Sequence, residues 1–291
     1  MKNEYAAVFR LFVVACLILT ITGCSPKQAT STGGQSTSVT PQGDDAIESA
    51  YMLPRMEKTT AESKNCSTCD VKPGDLPAFN KALMDVKVQR YTDGGTTKIE
   101  HKIAETFCDK EFFSTCDGLM IIQATDEKSD RVELRQEKNL GLTAPSIMRF
   151  QAKFENLPNA SASKGVTLAQ IHNDASGVGR PLLRVEYTGE NELRVVVTDT
   201  YVKGAGTSTN DYMVTFKDGD ELYCKLEMTG NDDEVRVFIK NMNTGKSKSK
   251  AYTVNSTWKQ KDGDFYYKTG AYLQESGKSP RASYSMLQFN Y

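Results

Sequence analysis

Histidine and tryptophan are scarce in this chain: its 291 residues include two histidines, His101 and His172, and a single tryptophan. So few imidazoles, with no acidic cluster at ligand spacing, leave a catalytic metal without a ligand set. No cofactor is expected either. An excess of charge of one sign is also missing, because 36 Lys and Arg stand against 37 Asp and Glu, for a formal net charge of −1. That balance argues against general nucleic-acid binding, which shows as a clearly basic domain. A site for any polyanion must therefore be a local patch. Long apolar runs are absent as well. The longest, Leu11-Phe-Val-Val-Ala-Cys-Leu-Ile-Leu-Thr-Ile21, is too short and too soon followed by polar sequence to span a membrane comfortably. There is no internal repeat and no second apolar helix.

Lys2 and Arg10 precede that run, and Thr22-Gly23-Cys24 follows it. A positive n-region, a short apolar h-region and small residues before a cleavage point make a secretory signal. Small residues directly before a cysteine also resemble a bacterial lipoprotein box, which implies lipidation of Cys24. Ser25 follows, with no Asp there to suggest retention at the inner membrane, so an outer-membrane or cell-surface anchor is expected. Acyl chains contribute about 0.8 kcal/mol per buried methylene and hold a protein stably on a bilayer. The expected organisation is a signal peptide over 1–23, a lipidated cysteine and flexible linker over 24–72, and one β-rich domain over 73–291. The linker is rich in Ser, Thr, Gly, Gln and Pro and cannot bury enough apolar surface to offset chain entropy. Within it, Ala46 to Met56 has the pattern of a short helix.

Five cysteines remain beyond the anchor: Cys66, Cys69, Cys108, Cys116 and Cys224. In an oxidising export compartment these can pair. Cys66-Ser-Thr-Cys69 has the spacing of a redox dithiol or half a zinc site, but no second pair and no βαβ pattern accompany it. Cys108 with Cys116 is read as a loop staple, and the odd count leaves one free thiol, assigned to a buried Cys224.

From Ser146 onward the periodicity is two. Met148, Phe150, Ala152 and Phe154 alternate with Arg149, Gln151 and Lys153. Leu183-Arg-Val-Glu-Tyr187, Glu192 to Val197, Leu222 to Met228 and Glu234 to Ile239 repeat the pattern, separated by Gly, Asn and Asp turn signals. Many short alternating strands at regular spacing predict an all-β sandwich or jelly roll of two antiparallel sheets. Only Leu76 to Met84 and Glu100 to Glu105 look helical.

Three strands carry an unusual polar face. Alternation puts Arg131, Glu133 and Arg135 on one side of Arg131-Val-Glu-Leu-Arg135, and Gln170 and His172 on one side of Ala169-Gln-Ile-His-Asn173. In Tyr266-Tyr-Lys-Thr-Gly-Ala-Tyr-Leu-Gln274 it collects Tyr266, Lys268, Gly270, Tyr272 and Gln274. Ordinary solvent faces are mixtures of Lys, Glu, Thr and Ser. These concentrate guanidinium, imidazole, phenol and carboxamide, groups that recognise carboxylates and move protons.

The three motifs, in this order and spacing, resemble those of the alginate lyases of polysaccharide lyase family seven. The resemblance runs from about Asp75 to Tyr291. Val132, where that family more often has Ser or Thr, departs from it but points away from the polar face. The resemblance implies a jelly roll with a concave substrate cleft and metal-independent β-elimination of a polyuronate. It also implies a catalytic set of Arg131, Gln170, His172 and Tyr272. Such chemistry must neutralise the uronate carboxylate so that charge developing at C5 is stabilised, the part for Arg131 and Gln170. It then needs a base and an acid. His172 can accept a proton at neutral pH, and Tyr272, set among Arg and Lys charges, can pass one to the leaving oxygen. For mannuronate Tyr272 serves as both acid and base, and for guluronate His172 is the implied base. Arg135, Tyr266, Lys268 and Gln274 would bind neighbouring sugars, with Glu133 holding the arginines through ion pairs. In that family the middle residue of Gln-Ile-His goes with block preference, so Ile171 points to guluronate-containing blocks. His101, in a charged segment with no matching motif, is read as a surface residue.

The expected partner is an anionic polysaccharide, with no nucleic acid, membrane contact only through the lipid anchor, and a monomeric state. Two other readings compete. One is a lyase for a different uronan such as glucuronan, and the other a non-catalytic carbohydrate-binding protein. The presence of both His172 and Tyr272 favours an enzyme. A glycoside hydrolase would need a pair of carboxylates, and these faces offer only Glu133.

Overall fold

The computed structural model describes residues 42–56, 67–158, 165–231 and 233–291. The signal segment, Cys24 and Cys66 lie outside the described residues. Fifteen strands, numbered in chain order, form two sheets. The eight-stranded sheet runs in spatial order β10 (Ser208–Thr215), β9 (Glu192–Thr198), β8 (Leu183–Tyr187), β7 (Val166–Asn173), β14 (Phe265–Leu273), β5 (Arg131–Gln136), β1 (Val86–Thr92) and β2 (Thr97–His101). The seven-stranded sheet runs β13 (Ser247–Thr253), β12 (Glu234–Asn241), β11 (Glu221–Met228), β6 (Ser146–Glu155), β15 (Arg281–Asn290), β4 (Leu119–Gln123) and β3 (Phe113–Cys116). The named strands pair antiparallel throughout. The chain crosses repeatedly between the sheets, so strands distant in sequence become neighbours, as the jelly-roll expectation requires.

The apolar member of each alternating pair goes into one core. Val132, Leu134, Ile171, Val185 and Leu273 of the first sheet meet Phe150, Phe154, Leu226, Val237 and Leu287 of the second, all buried. Each such side chain contributes roughly 1.5–3 kcal/mol by leaving water. Val132 and Ile171 thus face the core, as their alternation requires. Two polar anchors on the inner face of β14 fix its position: the Tyr267 hydroxyl donates to Ser146 O at 2.7 Å, and Thr269 Oγ1 lies 2.9 Å from the Tyr284 hydroxyl.

Several local expectations change. The Leu76 to Met84 segment holds only a single helical turn, Asn80–Leu83, with a 3-10 turn, Pro73–Asp75, just before it. Glu100 to Glu105 is not helical: Glu100 belongs to β2, where pairing with β1 overrides local propensity. The Cys108–Cys116 staple is not formed. Cys108 is bonded to Cys69, Cys116 is itself in a disulfide, and Cys224 is the free, buried thiol. The neighbouring chain accounts for this, since Thr68 bridges to Thr115 and brings the segment after Cys66 alongside β3. His101 is half-buried, stacked on Phe107 at 3.6 Å, because β2 pairing brings it over an aromatic cluster.

Within the stretch read as linker, a helix spans Gln42–Ser49, and residues 42–56 pack on the outer face of the seven-stranded sheet. Glu48 is buried there, receiving Arg149 at 3.0 Å, Lys225 at 3.0 Å and the Tyr223 hydroxyl at 2.6 Å. Arg149 also lies over the Tyr51 ring.

Candidate active site

The three polar strands, far apart in sequence, are neighbours in the order β7–β14–β5. Antiparallel register partners share a face, so the pairings lay the polar residues out in transverse rows. One row runs Tyr91, Arg131, Tyr272, Thr167. The next holds Gln89, Glu133 and Gly270. The third runs Lys87, Arg135, Lys268, Gln170, Arg184. The last pairs Tyr266 with His172.

Glu133 is the hub. It is buried beneath the polar face, accepting Lys268 at 3.1 Å and a short hydrogen bond from Gln170, with Arg131 Nε 3.6 Å away. Burial acts to raise the Glu133 carboxyl, but Lys268 and Arg131 outweigh it and hold it below the usual carboxylate range. Gly270 makes this convergence possible. Its φ is +155°, and an added Cβ would stand 2.2 Å from Val132 O. With no side chain at 270, those of Gln170 and Lys268 can reach across β14 to the hub.

Arg131 is held between two rings, its guanidinium carbon 3.7 Å from the Tyr91 centroid and 4.6 Å from that of Tyr272. Tyr91 was missed by motif reasoning, although Lys87, Gln89 and Tyr91 show the same two-residue alternation. At the other end Tyr266 is enclosed. Arg135 covers its ring at 4.0 Å, and His172 stacks on it at 5.5 Å with 14° between planes. Burial pushes the Tyr266 phenol up from its ordinary value. Asp174, also missed, pairs with Arg135 at 2.7 Å. Gln274 lies just past β14 and donates to Thr167 Oγ1 at 3.0 Å.

Burial first, then the Lys268 charge, lower His172 to about 4. It is therefore a neutral imidazole at ordinary pH, a state suited to accepting a proton. Its Nδ1 is engaged by the main chain of Asn173, 3.0 Å from the carbonyl and 2.8 Å from the amide nitrogen. With the Asn173 amide donating to Nδ1, the neutral ring carries its proton on Nε2; in the other tautomer Nδ1–H donates to the Asn173 carbonyl.

The four residues expected to act as one set stand on three adjacent strands of this face. Arg131 and Tyr272 are neighbours, and Gln170 joins them through Glu133. His172 sits opposite Tyr266, six positions along β14 from Tyr272, and the Lys268 and Glu133 charges act on it as well. Among the described residues no group of three His, Cys, Asp or Glu side chains is arranged to hold a metal ion.

The fold is thus a two-sheet antiparallel jelly roll whose eight-stranded sheet carries one face of Arg, Lys, His, Tyr and Gln side chains. The model of the alginate lyase family matches residues 84–290, and the chain belongs to that family of polysaccharide lyases. No curated protein sequence matches it. Among solved structures it is similar to alginate lyase A1-II′, a member of polysaccharide lyase family seven, at 24% identity and TM-score 0.58, covering 76% of this chain and 98% of that one. The alginate lyase from Klebsiella pneumoniae gives 14% identity and TM-score 0.61, over 76% of this chain and 98% of the other. Alginate lyase AlyC3 gives 14% and 0.59, over 81% and 99%.

Proposed function

We propose that this enzyme cleaves alginate by metal-independent β-elimination, with Arg131 and Tyr272 as the reacting pair. The observation that carries the assignment is their contact: a guanidinium 4.6 Å from the ring of a tyrosine, braced from below by Glu133. Arg131 would neutralise the uronate carboxylate, so that electron density left at C5 on proton removal is stabilised by fixed positive charge. Gln170 and Lys268 add donors around it. As the phenolate, Tyr272 would take the C5 proton and hand that same proton to the C4 oxygen as the C4–O bond breaks, leaving a 4,5-unsaturated end, a free hydroxyl and the phenolate restored. These residues supply the charge stabilisation that a metal would otherwise provide.

A preference for guluronate-containing blocks rests on Ile171 and on His172, whose imidazole burial and the Lys268 charge hold neutral. A1-II′ has been solved with a product, GGG, as a variant with a Tyr replaced, and with a substrate, GGMG, as a variant with a His and a Tyr replaced. A second reading is favoured by one observation, the pairing of His172 with Tyr266 rather than Tyr272. It places guluronate cleavage at the His172–Tyr266–Arg135 end. The test is to incubate the purified enzyme with polyguluronate, polymannuronate and glucuronan and follow ultraviolet absorbance of the unsaturated product. Silence on all three would overturn the lyase assignment, and turnover of glucuronan alone would replace alginate as substrate.

We further propose export and lipid anchoring at Cys24 in the outer membrane, from the sequence of the first 24 residues. Metabolic labelling with a radioactive fatty acid checks this: the label should be incorporated, and Cys24→Ala should abolish it.

A further inference from the structure

The tripeptide Arg131-Val-Glu133 at the centre of the site occurs a second time, as Arg184-Val-Glu186 on β8. The arrangement is repeated with it. Arg184 Nε lies 2.9 Å from Glu186 Oε1, as Arg131 Nε faces Glu133. Register puts this copy on the same face of the same sheet, because Arg184 is the partner of Gln170 and Glu186 the partner of Thr167.

The two copies differ in what their acid is spent on. Glu186 is buried, at 1% exposure, and its other oxygen accepts both Nε and a terminal nitrogen of Arg194 at 3.1 and 3.0 Å. One buried carboxylate is therefore shared by two guanidiniums. Arg184 is ion-paired to the acid at Nε, in a geometry that makes no hydrogen bond, and its two terminal nitrogens have no hydrogen-bond or ion-pair partner among the described residues. Its side chain is 23% exposed, so this unspent fork faces solvent on the polar side. An arginine oriented through Nε with its planar pair of N–H donors free is preorganised for a carboxylate.

The third row gives this fork its position. Lys87, Arg135, Lys268, Gln170 and Arg184 run straight across five adjacent strands. From Tyr272, Arg184 lies two strands across and four positions along β14, roughly 16 Å at the usual strand spacing and rise, about three sugars of a 1,4-linked chain. We propose that Arg184 is a second uronate-binding residue, held by Glu186. It takes the carboxylate of a sugar about three units from the one being cleaved, on a polymer running obliquely across the strands. The assignment rests on the lyase reading for its substrate class, and it fixes the direction in which the chain lies.

The test uses the His172→Ala, Tyr272→Phe double variant, so that polymer is bound without being cut, titrated calorimetrically with alginate. Arg184→Gln keeps a donor for Glu186 and removes the charge; it should weaken binding roughly tenfold, as expected for a lost charge-assisted contact. Arg184→Lys should recover part of that loss. Alginate with its carboxyls esterified should bind equally with Arg or Gln at 184. Unchanged affinity for alginate in Arg184→Gln, at an unchanged melting temperature, would overturn the proposal. An equal loss for the esterified polymer would do the same, by showing that the effect is structural. Turnover by the native enzyme is measured in parallel. Alginate binding that depends on Arg184 without any turnover sinks the lyase reading alone, whereas turnover without Arg184 dependence sinks this one alone.

Discussion

His172 lies opposite Tyr266 on the neighbouring strand, their rings stacked at 5.5 Å. Tyr272, the other expected proton carrier, keeps company with Arg131 at the far end of the same strand. The polar face therefore has two ends, each with a tyrosine and an arginine, joined through Glu133 and Lys268.

That separation can be read kinetically. Tyr272→Phe should lower turnover of both polymannuronate and polyguluronate by roughly a hundredfold or more, the usual worth of a general acid–base group. Tyr266→Phe should leave mannuronate cleavage close to native. If Tyr266→Phe instead removes guluronate cleavage while Tyr272→Phe spares it, the His172 end is a separate reaction centre and the single-centre assignment is wrong.

The state of His172 sets a pH dependence. Its folded value near 4, against an ordinary value of about 6.5, follows from burial and from Lys268. If His172 is the guluronate base, the acid limb of kcat/KM on polyguluronate should fall near pH 4. The same shift affects stability. The unfolded chain binds a proton as pH drops below about 6.5, while the folded protein binds it only near 4. Stability from this group is complete above about 6.5 and is lost as pH falls through 4. Kinetic pH profiles and melting curves over pH 3–8 measure the two effects, and an acid limb near 6.5 would contradict the buried environment.

Gly270→Ala should damage both fold and site. The added Cβ would press on the main chain of β5, 2.2 Å from Val132 O and 2.8 Å from Glu133 Cα, and no rotamer change relieves a main-chain clash. A loss of more than about 1 kcal/mol of stability is expected, with activity falling further as Gln170 and Lys268 are pushed off Glu133. Chemical denaturation alongside the polymer assay checks both.

Glu48→Gln tests whether residues 42–56 are part of the fold. Removing this buried charge leaves Arg149 and Lys225 without their shared acid and should cost roughly 3 kcal/mol, with kcat unaffected because the helix lies on the other sheet. Burial tends to raise the Glu48 carboxyl, but Arg149, Tyr223 and Lys225 hold it below its ordinary value. Its contribution is therefore present above about pH 4.3 and lost as pH falls through the lower folded value. The native protein and Glu48→Gln should converge in melting temperature under acid conditions.

The sequence by itself determined the strands and the composition of their faces. Alternation is a local property, set by the two-residue repeat of an extended chain. Arg131, Glu133 and Arg135 had to share a side, Val132 and Ile171 had to face the core, and a repeated Arg-Val-Glu was visible to anyone who counted. The tertiary structure alone decided which residue stands across from which. Register depends on strand neighbours distant in sequence, and nothing local encodes that His172 meets Tyr266, or that Asp174 caps Arg135. The same holds for Cys69 reaching Cys108 and for a polar helix from the supposed linker seating Glu48 on the far sheet. These are outcomes of packing two sheets so that buried acids such as Glu48 and Glu133 meet basic partners, and that condition can be met only once the whole chain is in place.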